Sequence, residues 1–459
     1  MEEQAKAKIQ ENKMGVMPVG KLLINMAGPT IISMIVMALY NIVDSVFVAW
    51  INEDALAALS LAFPMQNLMI ATATGLGVGM NALISRALGK RDRVRAEKTA
   101  MQGLLLELVG FAAFCVVGVF FARAFIESQT DSESIIGYGA LYLQICCCGS
   151  VGMFIQLSFE RTLQATGRTF YTMLTQMTGA IINIVLDPIL IFGLLGAPKL
   201  GVAGAAAATV LGQLVAGILA LIFTLYKNPD VTLYIHNIKP DREIILQILS
   251  IGVPSILMVS IGSVMSFCIN KILIAFTSTA VAVFGIYFKL QGFMFMPIFG
   301  LNNGMVPIVS YNYGARHRER MLRAIKLSMI AAECIMLCGL VLFELIPDKL
   351  FMLFSASEDM LAIGVPALRT MAIAFLVAGI CVISSSVCQA LSKGLYSLYI
   401  AIGRQLVVLI PAAYILAHVG GLSYVWWAWP IAEVVSLALA LYFVRRTIKN
   451  LDWSERRTS

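Results

Sequence analysis

Twelve long apolar stretches organise this chain, separated by short clusters of charge, glycine and proline. They run over about 22–50, 56–86, 99–125, 136–162, 169–195, 201–226, 244–276, 280–312, 322–346, 358–391, 396–418 and 424–446. Crossing the hydrocarbon core takes roughly 20 apolar residues. Several stretches exceed that, which tilting or bending accommodates. Inside a bilayer every backbone N–H and C=O must be paired within the segment or its barrel, so runs of this length predict helices. The predicted fold is an all-α polytopic membrane protein of about 12 transmembrane helices.

The basic residues fix an orientation. With the N-terminus inside, 27 of the 33 Lys and Arg fall on the inner side: in the lead-in, from Arg86 to Lys98, at Arg161 and Arg168, at Lys227, Lys239 and Arg242, from Arg316 to Lys326, at Lys393 and Arg404, and after Arg445. The other six are Arg123, Lys199, Lys271, Lys289, Lys349 and Arg369. This asymmetry predicts a multi-pass protein of the plasma or inner membrane with both termini cytoplasmic. Residues 1–21 read as an amphipathic cytoplasmic lead-in without a cleavable signal, and 447–459 as a cytoplasmic tail. The long inner connection at 227–243 reads as a linker between two six-helix bundles, 22–226 and 244–446.

An internal repeat supports that division. A shift of 225 residues aligns GMNALISRALGKRDRVR with GMVPIVSYNYGARHRER without a gap, pairing Gly79 with Gly304, Ser85 with Ser310, Gly89 with Gly314 and Arg91 with Arg316. The same register pairs Pro29 with Pro254, Gln66 with Gln291, Gly75 with Gly300 and Gln164 with Gln389. Two halves repeated in the same orientation imply an axis along the membrane normal with a cavity between the halves, the arrangement alternating access requires.

Composition narrows the function. The chain is 59% hydrophobic and 13% charged, too little polar surface for a soluble enzyme, a disordered scaffold or a secreted disulfide domain. The net charge of +7 reflects topology rather than nucleic-acid binding. The nine cysteines show no metal or redox spacing, and Cys146, Cys147 and Cys148 read as small buried hydrophobes. Neither GxxxxGK[ST], HExxH nor GxSxG occurs, and His236, His317 and His418 fall in or near loops, so an enzyme is not expected.

Carboxylates within a bilayer are costly and mark function. Asp44 lies six residues from Trp50, Asp187 six from Gly193, and Thr209 eight from Gly201. At 1.5 Å per residue these groups share a layer roughly 9–12 Å below the outer surface. Asn183 lies one turn before Asp187 on the same face. Two carboxylates with amide and hydroxyl oxygens suit a hard monovalent cation, Na⁺, and crowded carboxylates also hold protons. The competing reading has Asp187 capping a helix broken at Pro188 and Asp44 bonding a neighbour. The second half lacks an equivalent, because the shift places Ile269 opposite Asp44.

Candidates for substrate contact or gating are Glu160, Lys271, Lys289, Gln66, Gln291, Met294 and Phe295. Glu160 lies beside Arg161, where a local ion pair competes with a gate or proton relay; the two lysines either snorkel, pair, or meet an anionic group. Met294 and Phe295, in QGFMFMPIFG, suit varied apolar ligands, although helix packing accounts for most such residues. Glu107, Glu333 and Glu433 are single acids in apolar runs, facing either the cavity or a helix partner.

The twelve spans, the repeated GM…S…G…R block, QATGR and NIVLDPILIFG together resemble multidrug and toxic compound extrusion transporters, over nearly the whole chain. LSFERTLQATG resembles the bacterial multidrug-export branch. The resemblance implies two six-helix bundles in a V around a central cavity, with organic cations exported by antiport with Na⁺ or H⁺. It also implies a cation site at Asp44, Asn183, Asp187 and Thr209. The expected partners are small-molecule drugs and the lipid bilayer, no nucleic acid, and the protein a monomer without a cofactor beyond its coupling ion. The sequence departs from the branch with acidic residues in the C-terminal lobe, since Asn270 and Lys271 stand in span seven without a mid-membrane acid. A flippase for a lipid-linked or anionic substrate, using Lys271 and Lys289, is the alternative.

Overall fold

A computed structural model describes residues 12–233, 239–354 and 356–451, and among these there are helices and connections but no strand. The expected lead-in, linker and tail therefore lie partly outside the described residues, as does His236. The helices of the first half are α1 (Lys13–Val16), α2 (Val19–Ala49), α3 (Glu53–Gly89), α4 (Arg93–Phe120), α5 (Ala122–Glu127), α6 (Glu133–Gly149), α7 (Val151–Ala165), α8 (Thr169–Phe192) and α9 (Val202–Lys227). Those of the second are α10 (Arg242–Ile274), α11 (Ser278–Gly314), α12 (Arg318–Leu345), α13 (Pro347–Met352), α14 (Glu358–Ala372), α15 (Phe375–Ala390), α16 (Gly394–Ile402), α17 (Ile410–Gly420), α18 (Leu422–Val425) and α19 (Ala428–Lys449). A π-helical turn, Gly403–Leu409, joins α16 to α17.

Among the described residues ten helices are long and apolar enough to cross a membrane, and two bent pairs bring the number to twelve. The pair α6 and α7 meets at 44°, and α14 with α15 at 53°. Both bends have local causes. The Ser150 hydroxyl donates to the Cys147 carbonyl (2.7 Å), competing with the helix ladder. Between α14 and α15 the backbone tightens into i→i−3 bonds, Ile373 to Thr370, Ala374 to Met371 and Leu376 to Ile373. Proline does not end the spans: Pro29, Pro188 and Pro254 all sit inside continuous helices.

The first helix of each half crosses between lobes, and this shapes the molecule. Leu22, Met26 and Ala27, early in α2, are buried in the core of the second lobe with Met305 and Ile308, whereas Val48 at its far end packs with Ala55 and Ile191 of the first lobe. The repeat-related helix α10 does the reverse. Its early residues Ile244, Ile248 and Ile251 pack on Ala82 and Leu83 of α3, and its later residues Ile269 and Leu273 join the second-lobe core. The lobes are thus bound together at the end nearest the linker, hereafter the linker face, and each regains its own helix toward the opposite face. Residues 12–17 stitch the same face. Asn12 donates to the Thr166 carbonyl of the first lobe (3.0 Å), while Arg320 of the second donates to the carbonyls of Met14 (3.2 Å) and Met17 (2.6 Å).

Candidate functional site

Small residues bring α8 and α9 into contact at the site. A Cβ on Gly212 would lie 2.8 Å from the Gly179 carbonyl oxygen and 3.3 Å from the Asn183 Cβ, so only glycine permits this approach. It delivers Thr209 to Asn183. Oriented to satisfy both its ends, the Asn183 amide nitrogen donates to Asp187 Oδ2 (2.9 Å), and its oxygen accepts from the Thr209 backbone N–H (3.0 Å) and hydroxyl (3.1 Å). Asn183 and Asp187 are one turn apart on α8 and are 2% and 0% exposed.

From α2, Asp44 stands against Asp187, near enough for a proton on one carboxyl to bond the other. One oxygen on each, Asp44 Oδ1 and Asp187 Oδ1, is buried without a protein partner. Tyr40, one turn before Asp44, stands beside Thr209 and in the field of both acids. Four side chains expected at one depth therefore do converge, and a fifth, Tyr40, joins them. The unpaired carboxyl oxygens beside amide and hydroxyl oxygens fit a proton or a hard monovalent cation in the donor types they offer. Among the described residues no cluster of three or more His, Cys, Asp or Glu has the geometry to hold a metal ion. The helix α8 continues through Pro188, so Asp187 does not cap a broken helix end.

A second layer lies beside this site. Gln66 on α3 donates to the Tyr142 hydroxyl (3.1 Å) and lies 3.6 Å from Cys146 Sγ, and both Tyr142 and Cys146 feel the Asp44 charge. Tyr40 and Tyr142 escaped the sequence reading; the i, i+4 spacing of Tyr40 to Asp44 is the one signal that pointed to either.

Toward the linker face, Glu160 accepts from Gln156 (2.9 Å), Thr175 (2.8 Å) and Gln176 (2.8 Å). The local pair expected with Arg161 does not form, because Arg161 turns away to Gln164 Oε1 (2.9 Å) and across the lobe boundary to Asn303 Oδ1 (2.8 Å). Glu107, 1% exposed with both carboxyl oxygens unpaired, stands in the field of Arg161. Arg161→Ala should therefore lower stability by about 1–3 kcal/mol, since it leaves the Gln164 and Asn303 oxygens without their donor, opens the cross-lobe bond and removes the positive field at Glu107. Thermal denaturation in detergent reads this, and adding Glu107→Gln should restore part of the loss. Equal losses in the single and double variants would show that Glu107 does not depend on Arg161.

The other candidates scatter. Lys271 lies over the Phe267 ring (5.0 Å) and Lys289 over Phe354 (5.9 Å). Among the described residues neither is within 4.0 Å of a carboxylate. Met294 lines an apolar cavity of about 440 Å³ with Ile31, Ile35, Phe293, Met296 and Cys338, between α2, α11 and α12. Phe295 instead packs against Phe299 and Phe375. Gln291 is half-buried on α11.

The MatE family profile matches residues 29–189 and 254–415, two segments that begin 225 residues apart, in the register of the internal repeat. The chain is 28% identical over 425 residues to the multidrug export protein MepA of Staphylococcus haemolyticus, spanning 92% of this chain and 93% of that protein. It is 25% identical over 434 residues to an FAD transporter of Shewanella oneidensis, spanning 94% and 95%. Among solved structures it superposes at TM-score 0.90 and 27% identity on an outward-facing multidrug resistance MATE family transporter, covering 96% of this chain and 98% of that one. A MOP superfamily transporter from Pyrococcus furiosus matches with the same score, identity and coverage.

Proposed function

This chain belongs to the MatE family, and on that premise we propose that it is a secondary active transporter that exports organic, amphipathic cations by antiport with Na⁺ or H⁺. The observation that carries the reading is the Asp44–Asp187 pair, two acids on different helices with one unpaired buried oxygen each, braced by Asn183, Thr209 and Tyr40. Similarity to a multidrug export protein over nearly the full length supports a drug substrate. Residues 22–226 and 244–446 serve as the two moving lobes, joined by 227–243, in a multi-pass protein of the cell membrane with cytoplasmic termini.

Alternating access then has a simple form. In the described state the lobes meet at the linker face, which the basic residues make cytoplasmic, and the likeness to an outward-facing transporter supports an outer-open reading. A cation entering from outside settles between Asp44 and Asp187 and neutralises them. A cationic substrate competes for the same negative field, so ion binding promotes its release. Net export needs only that each ligand bind the two states with different affinity.

The test is ethidium efflux from energised vesicles containing the protein, with Na⁺ and pH gradients imposed separately. Efflux driven by one gradient is expected and names the ion. Properly inserted protein that responds to neither gradient would overturn antiport.

A further inference from the structure

A cavity of about 350 Å³ lies at the linker face, where α8 begins and α9 ends. One wall is the segment before α2, through Asn12 and Lys13, and another is the turn before α8, through Gly167 and Arg168. The two walls touch. Asn12 donates to the Thr166 carbonyl (3.0 Å), and a Cβ on Gly167 would come within 3.1 Å of Lys13 Cε, so the lysine stem lies along that turn.

Two cations meet here. Lys13 is half-buried and donates to Asn25, while Arg168 donates to Asp230 (2.8 Å) and Asn228 (3.3 Å). Arg168 thus has an acid of its own, whereas among the described residues Lys13 has no carboxylate within 4.0 Å. Burial and the nearby Arg168 guanidinium hold the Lys13 ammonium below its usual pKa, the mark of like charges placed together. With Asp230 the only acid on its lining, the cavity carries a net charge of +1. A donor is also left over. Asn228, 3% exposed, gives its Oδ1 to Arg168 and keeps a buried Nδ2 without a partner.

The apolar surroundings narrow the ligand. Phe170, on the lining, is 53% exposed, and Tyr226, near the end of α9, is 79% exposed beside Lys227. Aromatic and basic side chains at the ends of spans mark the level of lipid headgroups. Tyr171, also on the lining, packs on Phe223 of α9 with ring centroids 4.9 Å apart, which carries the aromatic wall along the spans. A soluble anion would use the charge and leave this wall bare. We propose that the cavity binds the headgroup of an anionic phospholipid from the leaflet at the linker face, its phosphate between Lys13 and Arg168 and its chains passing Phe170. Basic pockets between membrane helices take acidic headgroups in this way. Asn312 and Arg320 of the second lobe hold the carbonyls of Met14 and Met17, so a lipid gripped by Lys13 fastens this segment to the first lobe as well.

The test titrates delipidated full-length protein in an uncharged detergent with dioleoylphosphatidylglycerol, counting bound lipid by native mass spectrometry. One lipid is expected to bind ahead of a diffuse remainder, and dioleoylphosphatidylcholine should not replace it. Lys13→Gln and Arg168→Gln should each raise its half-saturating concentration at least tenfold. Lys98→Gln, at an exposed position on α4 outside the cavity, should leave it unchanged. Phosphatidylglycerol should also slow amide hydrogen exchange across residues 14–17. Equal binding of the two lipids, displacement by inorganic phosphate, or equal weakening by Lys98→Gln overturns the inference. So does binding that both cavity variants leave intact, or that leaves exchange at 14–17 unaltered. Should Arg168→Gln fail to run as a monodisperse species, because it strands Asp230, Lys13→Gln alone decides, since it gives up one bond to Asn25.

Discussion

Replacing Asp187 with Asn is expected to reduce gradient-driven export to the vesicle background while leaving the protein folded, with its cationic substrate held more weakly by the charge of Asp44 alone. The substitution keeps size and shape, and an amide oxygen still accepts from Asn183 as Asp187 Oδ2 does at 2.9 Å. What it removes is the charge and the capacity to hold a proton. For Na⁺, one carboxylate charge at about 3 Å in an effective dielectric near 20 contributes roughly 5 kcal/mol. Its loss weakens the ion by on the order of 10³–10⁴-fold. For H⁺ the loss is complete, since an amide does not protonate in this range. Either way the ion no longer distinguishes the two lobe arrangements, and a ligand with equal affinity for both states shifts nothing. Asp44→Asn should behave alike. Asn183→Ala deletes a neutral ligand and should reduce coupling by only about 10–100-fold. The checks are efflux from proteoliposomes under the driving gradient and substrate binding without one. Undiminished efflux in both Asp variants would show that coupling resides elsewhere.

How far the site could be read from sequence follows from what sets each position. Asp44, Asp187 and Thr209 share a depth because distance along a helix is distance through the bilayer, a quantity that counting residues to Trp50, Gly193 and Gly201 supplies. Helix neighbours are harder. Nothing in the chain announces that Gly179 and Gly212 bring α8 against α9, or that Gln66 reaches Tyr142 from a different span. Arg161 shows the limit most clearly. Adjacency to Glu160 suggests a pair, yet consecutive residues on a helix point about 100° apart, and Arg161 finds Asn303 142 residues away. Arg404 fails for a related reason, because counting basic residues by loop cannot see a π turn that carries an arginine to a buried acid. The repeat, in contrast, was legible at full precision, since both matches to the family profile begin in its register.

Gly304→Leu should drive the protein out of the described state and open the linker face. A Cβ at Gly304 would lie 2.6 Å from the Ala27 Cα and N, and one at its repeat partner Gly79 would lie 2.5 Å from the Ile248 carbonyl oxygen. These are backbone atoms of α2 and α10, the two helices that cross between lobes, so no rotamer change relieves the clash. Overpacking of this kind costs roughly 1–3 kcal/mol, and the cost falls on the state in which the lobes meet here. In the opposite state the same side chain faces the opened cavity. The equilibrium should therefore shift by about 5–150-fold toward the linker-open form. The effect is readable as a longer distance between spin labels at Lys98 on α4 and Arg323 on α12, both exposed near the linker face of their respective lobes. Gly79→Leu should give the same lengthening, because the repeat places it at the equivalent crossing on the other side of the axis. A folded Gly304→Leu protein with an unchanged distance distribution would mean that these crossings do not separate during the cycle. The lobes would then have to hinge on contacts nearer the opposite face. Export should fall in both variants without any change to Asp44 or Asp187, which separates a block in lobe movement from a defect in the ion site.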